Sequence, residues 1–139
     1  MTARAFLAAL LLFIAAPAVA AVETPAREVI LMDHDTGAVL FAKNPDARMP
    51  PASMSKLMTL YVVFDRLKQG RLKLDDVFTV SENAWRRGGA PSGGSTMYAA
   101  LNSQLTVADL IQGVIIQSAN DGCIILAEGI AGSEQAFAR

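Results

Sequence analysis

Ser53 stands three residues ahead of Lys56 in the stretch Pro51-Ala52-Ser53-Met54-Ser55-Lys56-Leu57-Met58-Thr59. If Ser53 sits at the start of a helix, Lys56 lies one turn on, on the same face. The lysine amine then reaches the serine hydroxyl. A base within hydrogen-bond reach is what an activated serine nucleophile requires. A helix N-terminus also favours negative charge developing on the serine oxygen. A helix-opening serine beside an exposed lysine would carry the same letters, so the tetrad needs support from the rest of the chain. Ser118-Ala119-Asn120 sets a hydroxyl and an amide two residues apart. A kinked loop between two helices could aim both into one cleft. The hydroxyl would relay a proton, and the amide would bind a substrate carbonyl. A second S-x-N, Ser81-Glu82-Asn83, precedes a polar stretch and is read as structural.

Composition removes other chemistries. The chain has 139 residues and net charge −1, one domain's length at most, with no basic patch to suggest nucleic acid. His34 is the single histidine, so this chain holds no Ser-His-Asp triad and no His-containing metal cluster. No metal and no cofactor are expected. Cys123 is the single cysteine, which rules out an internal disulfide; in Cys123-Ile124-Ile125-Leu126 it reads as a buried, inert thiol. Lysine remains as the base for Ser53. Asp35-Thr36-Gly37 has the letters of an aspartic-protease motif, but it lies between two short strands, where a turn accounts for it.

The elements that must position these residues follow from pattern. Residues 1–20 read as a secretory signal peptide: a positive start with Arg4, an apolar run of about a dozen residues, and Ala18-Val19-Ala20 as the cleavage site. The mature chain, 21–139, would then be exported, to the periplasm or the outer face of the cell membrane, with 11 basic against 13 acidic residues. Residues 28–33 and 38–42 pattern as a β-hairpin. Pro50-Pro51 should deliver the chain extended into Ser53. Residues 55–68 read as a helix ended by Gly70, apolar all round and therefore buried centrally. Burial of Lys56 beside apolar walls would favour the neutral amine. Residues 74–80 read as extended, and 83–95, rich in Arg, Gly, Pro and Ser, as a mobile surface loop. Thr106 opens a helix to about Gln117, with Asp109 completing a capping-box-like pair and Leu105 and Leu110 a hydrophobic staple. Asn120 or Asp121 caps a third helix, and Ser133 opens a fourth.

Taken together these residues resemble a known set. S-x-x-K on a buried helix, followed some 60 residues later by S-x-N, matches the penicillin-binding proteins and serine β-lactamases. The flanks, 51–59, Gly94-Ser95-Thr96-Met97-Tyr98, and Gln117-Ser118-Ala119-Asn120-Asp121 running on to Leu126-Ala127-Glu128, resemble the low-molecular-mass penicillin-binding proteins, the serine-type D-Ala-D-Ala carboxypeptidases. The resemblance implies an α/β transpeptidase fold, of which this chain would supply the N-terminal part: first hairpin and helical subdomain. It implies Ser53 as the acyl-ester nucleophile, Lys56 as proton acceptor, Ser118 as proton relay and Asn120 as substrate-binding amide. The substrates would be peptidoglycan stem peptides ending in D-Ala-D-Ala, with β-lactam antibiotics as covalent inhibitors. Alternatives are a serine β-lactamase, a transpeptidase, or a non-catalytic cell-wall binder. The family's third motif, K-T-G on a strand edging the site, is absent; Lys68-Gln69-Gly70 ends a helix instead. The expectation is therefore an N-terminal fragment. Membrane association would come only through a C-terminal part not present here.

Overall fold

A computed structural model describes residues 22–139. The expected signal peptide, 1–20, lies outside them. The chain divides into two units, the first ending at Met49 and the second spanning Pro50–Arg139.

The first unit is the expected hairpin. Strands β1 (Val29–Met32) and β2 (Val39–Lys43) pair antiparallel, with Val29 opposite Lys43 and an irregularity between Leu31 and Met32. The turn is built on Asp33. Its Oδ1 accepts from the backbone N–H of Thr36 at 2.8 Å and from the Thr36 hydroxyl at 2.6 Å. Those bonds hold the Asp33 carboxyl below its ordinary pKa. Gly37, at φ +70°, takes the left-handed position that closes the turn. The D-T-G letters are thus a turn.

The second unit is mostly helical. A 3₁₀ turn (Ala52–Ser55) leads into α1 (Lys56–Lys68), and Gly70 at φ +68° ends it, with Arg71 N–H returning to Arg66 O at 2.9 Å. Strand β3 (Val77–Thr79) follows, then α2 (Glu82–Arg87), strand β4 (Gln104–Thr106), α3 (Val107–Gln117), α4 (Asn120–Ala131) and the short α5 (Glu134–Phe137). β3 and β4 pair antiparallel, Phe78 opposite Leu105. Ser81, Thr106 and Ser133 each cap the helix that follows through a side-chain oxygen.

Several expectations are corrected. α1 is not buried on every side: Leu60 and Val63 are buried, whereas Leu57, Met58, Tyr61 and Phe64 are exposed among the described residues. The central helix is α4, which buries Ile124, Ile125, Leu126 and Ala127. An apolar circumference makes burial favourable but does not supply the layers that would cover it. The stretch 83–95 is not a plain loop, because α2 and a 3₁₀ turn (Ala90–Ser92) occupy most of it. Ala84 is fully buried there and Trp85 packs on the core, while Arg86 and Arg87 face outward. The cap of α4 is Ala119, which makes no side-chain bond; neither Asn120 nor Asp121 caps it. Strand β4 was not legible, being three residues long and merged with the cap of α3.

Candidate active site

Two hydroxyls converge on one amine. Lys56 Nζ lies 3.1 Å from Ser53 Oγ and 3.1 Å from Ser118 Oγ. Local backbone produces the first contact. Ser53 is in the 3₁₀ turn and Lys56 begins α1, so the two side chains stand nearly eclipsed, three residues apart. Pro51 is not extended as expected; it has φ −71° and ψ −3°. A proline restricts the residue before it, and nothing so restricts Pro51 itself, which Ala52 follows. Ala52 then takes φ +47°, an uncommon conformation for a residue with a Cβ. Ser55, the other nearby hydroxyl, donates to Ala52 O at 2.8 Å and so belongs to its own turn.

The second contact comes from the α3–α4 corner. Ser118 ends α3 at φ +53°, ψ +39°. Such left-handed geometry in a non-glycine residue costs on the order of 1–3 kcal/mol and persists only when packing imposes it. Ala119, fully buried, and the N–H of Asn120, bonded to Ser95 O at 2.8 Å, impose it here. The corner turns Ser118 toward Lys56 and lets Asn120 open α4.

Ser53, Lys56, Thr59, Asn120 and Cys123 share the wall of a depression of about 440 Å³. A second, more apolar recess of about 230 Å³ meets Ser53, Lys56 and Ser118 on the side of Leu60, Val114 and Ile115. The larger depression near Val22–Pro25 and Lys43 belongs to the first unit; there the Lys43 amine donates to the Thr24 backbone carbonyl at 3.2 Å and to no hydroxyl. Ser53 is exposed and Lys56 is half-buried, less enclosed than an all-round apolar helix led one to expect. The hydroxyl, amine, hydroxyl and amide line two adjoining recesses that share Ser53 and Lys56, and the set suits acyl transfer: a nucleophile, a base able to take its proton, a relay and a group able to orient an amide. Among the described residues no group of three His, Cys, Asp or Glu side chains could hold a metal ion, and no helix is long and apolar enough to cross a membrane.

Some neighbours were not foreseen. Cys123 is only half-buried and packs against the core while also lining the cleft; burial pushes its thiol pKa up, against the opposing influence of Lys56 and Thr59. Arg87 and Glu134 also line the cleft and pair at 2.6 Å. Asp121 is fully buried. Its signal in the sequence was only its place directly after Asn120. The second S-x-N has a structural job: Ser81 Oγ donates to Glu128 Oε2 at 2.6 Å and Asn83 Nδ2 to Glu128 Oε1 at 2.8 Å, joining α2 to α4.

Residues 15–139 match the family described as D-alanyl-D-alanine carboxypeptidase. The D-alanyl-D-alanine carboxypeptidase DacC of Escherichia coli strain K12 is 47% identical over 133 residues, 95% of this chain and 33% of that protein. Penicillin-binding protein 5 of Haemophilus influenzae has a similar fold, with TM-score 0.70 and 45% identity over 84% of this chain and 34% of that one. Penicillin-binding protein D2 of Listeria monocytogenes, solved in an ampicillin-bound form, gives TM-score 0.64 and 25% identity over 81% of this chain and 43% of that one. The fold is thus the transpeptidase-like α/β fold of penicillin-binding proteins, and the chain spans about a third of the length of the curated relatives it matches. These matches do not favour a β-lactamase or a non-catalytic binder.

Proposed function

The chain belongs to the D-alanyl-D-alanine carboxypeptidase family, and from that premise we propose that Ser53, Lys56, Ser118 and Asn120 carry the family's reaction on peptidoglycan stem peptides. Ser53 Oγ attacks the carbonyl of the penultimate D-Ala while the Lys56 amine takes the hydroxyl proton. The tetrahedral intermediate collapses, the peptide C–N bond breaks, and Ser118 passes its proton to the departing D-Ala amine while taking the one Lys56 holds, which frees Lys56 for the second half-reaction. Water then attacks the ester with Lys56 as base, releasing the shortened peptide and restoring Ser53. Asn120 holds the substrate amide beside the cleft. A β-lactam presents a comparable acyl group and would esterify the same serine.

The observation that carries this reading is Lys56 Nζ at 3.1 Å from both hydroxyls. The test uses the full gene product. Fluorescent penicillin should label it, D-Ala should be released from a peptide ending in D-Ala-D-Ala, and mass spectrometry should place the adduct on Ser53. Ser53→Ala should abolish labelling and release together. An adduct on Ser55 or Ser118 would refute the assignment.

The proposal extends to export. Residues 1–20 would be removed as a signal peptide, leaving 21–139 to act outside the cytoplasmic membrane, in the periplasm or at the outer face of the cell membrane. N-terminal sequencing of the exported protein should begin at Ala21. Recovery of a mature form still carrying the run from Phe6 to Ile14 would contradict it.

A further inference from the structure

We propose that Asp121 is a positioning residue for this site, holding Asn120, and with it Ser118, in register with Ser53 and Lys56; the proposal rests on the catalytic reading above. Asp121 has no exposed surface. A buried carboxylate is tolerated when its oxygens are satisfied. Oδ2 accepts from Thr96 Oγ1 at 2.6 Å and from Ala99 N–H at 3.1 Å. Oδ1 accepts from Met97 N–H at 3.0 Å and from Gly122 N–H at 3.0 Å. Only the last of these donors belongs to its own helix. A residue serving α4 as a cap would spend its oxygens on the first turn; Asp121 spends three of its four bonds on residues 96–99.

The two residues just before that segment wall Asn120. Ser95 O accepts the Asn120 N–H at 2.8 Å. Gly94 lies so close that a Cβ there would stand 2.8 Å from Asn120 Nδ2. The far side is closed as well, because a Cβ on Gly88 would lie 2.4 Å from the Asp121 backbone nitrogen. The carboxylate therefore fastens residues 96–99 onto the first turn of α4, and the adjoining residues 94 and 95 fix where Asn120 sits. Asp121 touches no reacting atom in this scheme and acts through its neighbour.

The experiment follows fluorescent penicillin labelling in the full gene product and reads two quantities separately, the fraction of sites labelled and the acylation rate constant of those sites. Asp121→Asn keeps the shape and removes an acceptor. Its labelled fraction should hold while its rate constant falls about 10- to 100-fold, the scale of an ångström-sized misplacement. Thr96→Val deletes one donor and should give a smaller fall in the same quantity. In an Asn120→Ala background, adding Asp121→Asn should cost less than about twofold more, since coupled residues are not additive. A loss of labelled fraction at an unchanged rate constant would overturn the proposal and leave Asp121 a fold-supporting residue; full additivity would overturn it too. If Asp121→Asn does not fold, Thr96→Val is judged by the same criteria. If the native protein is not labelled at all, the catalytic reading fails, and hydrogen exchange decides the positioning claim. The Asn120 N–H should then exchange at least about tenfold faster in Thr96→Val with the Val63 amide unchanged; equal exchange at Asn120 would sink it.

Discussion

Lys56 faces two hydroxyls at 3.1 Å, and only a neutral amine can take a proton from either. The residue-scale prediction follows from that requirement. Lys56→Arg keeps the positive charge and much of the reach, but a guanidinium does not deprotonate at working pH. Penicillin labelling of the full gene product should fall below detection. Labelling retained within about tenfold would mean that position 56 supplies charge or packing rather than a base. Ser53 and Ser55 show how little separates a nucleophile from a bystander. Both lie in the same 3₁₀ turn, yet the Ser55 hydroxyl is committed to Ala52 O and Ser53 faces the amine.

At the scale of elements, α4 is the reference against which the others are set. Glu128, half-buried on α4, receives Ser81 and Asn83 from α2, and Asn83 also reaches Glu134 Oε2 at 3.3 Å. Glu128→Ala would leave the Ser81 hydroxyl without its acceptor and Asn83 with only the longer bond to Glu134. It should destabilise the protein by about 1–3 kcal/mol, the usual cost of stranding partly buried donors. By contrast the Arg86–Glu82 pair on the same α2 is about two-thirds exposed at both ends. Arg86→Ala should change stability by less than about 0.5 kcal/mol. Chemical denaturation of both variants checks the contrast, and equal losses would contradict it. Close approach matters at this scale too. A Cβ on Gly129 would stand 2.4 Å from the Phe78 ring, so glycine lets β3 lie against α4.

At the scale of the molecule, the exposed apolar face of the second unit has a consequence in solution. Leu57, Met58, Tyr61 and Phe64 on α1 and Ile115 and Ile116 on α3 range from 48% to 71% exposed. Contiguous apolar surface of this kind drives association. The polypeptide 21–139 produced alone should bind a hydrophobic dye and self-associate, as read by size-exclusion chromatography across a dilution series. A monodisperse monomer that binds no dye would show that the face is covered from within these residues.

Much of this was written locally. The hairpin follows from two short apolar runs and from Asp33, Thr36 and Gly37 between them, whose turn bonds are all short-range. Thr106 and Ser133 mark their helix starts because a cap is chosen by residues three apart. The approach of Ser53 to Lys56 was legible for the same reason: three residues and a helical turn suffice. Ser118 joins them from 62 positions beyond Lys56, which spacing alone cannot decide, and it does so because packing at the α3–α4 corner holds it left-handed. Residues 83–95 looked like a loop because their letters are polar, but the buried Ala84 and the bonds to Glu128 are tertiary facts that outweigh local composition. The same holds for α1, whose apolar circumference the sequence announced but whose cover is decided by which elements lie against it. Asp121 is the clearest case: as a letter it is a polar residue near a helix start, and only the fold brings Thr96, Met97 and Ala99 to its oxygens.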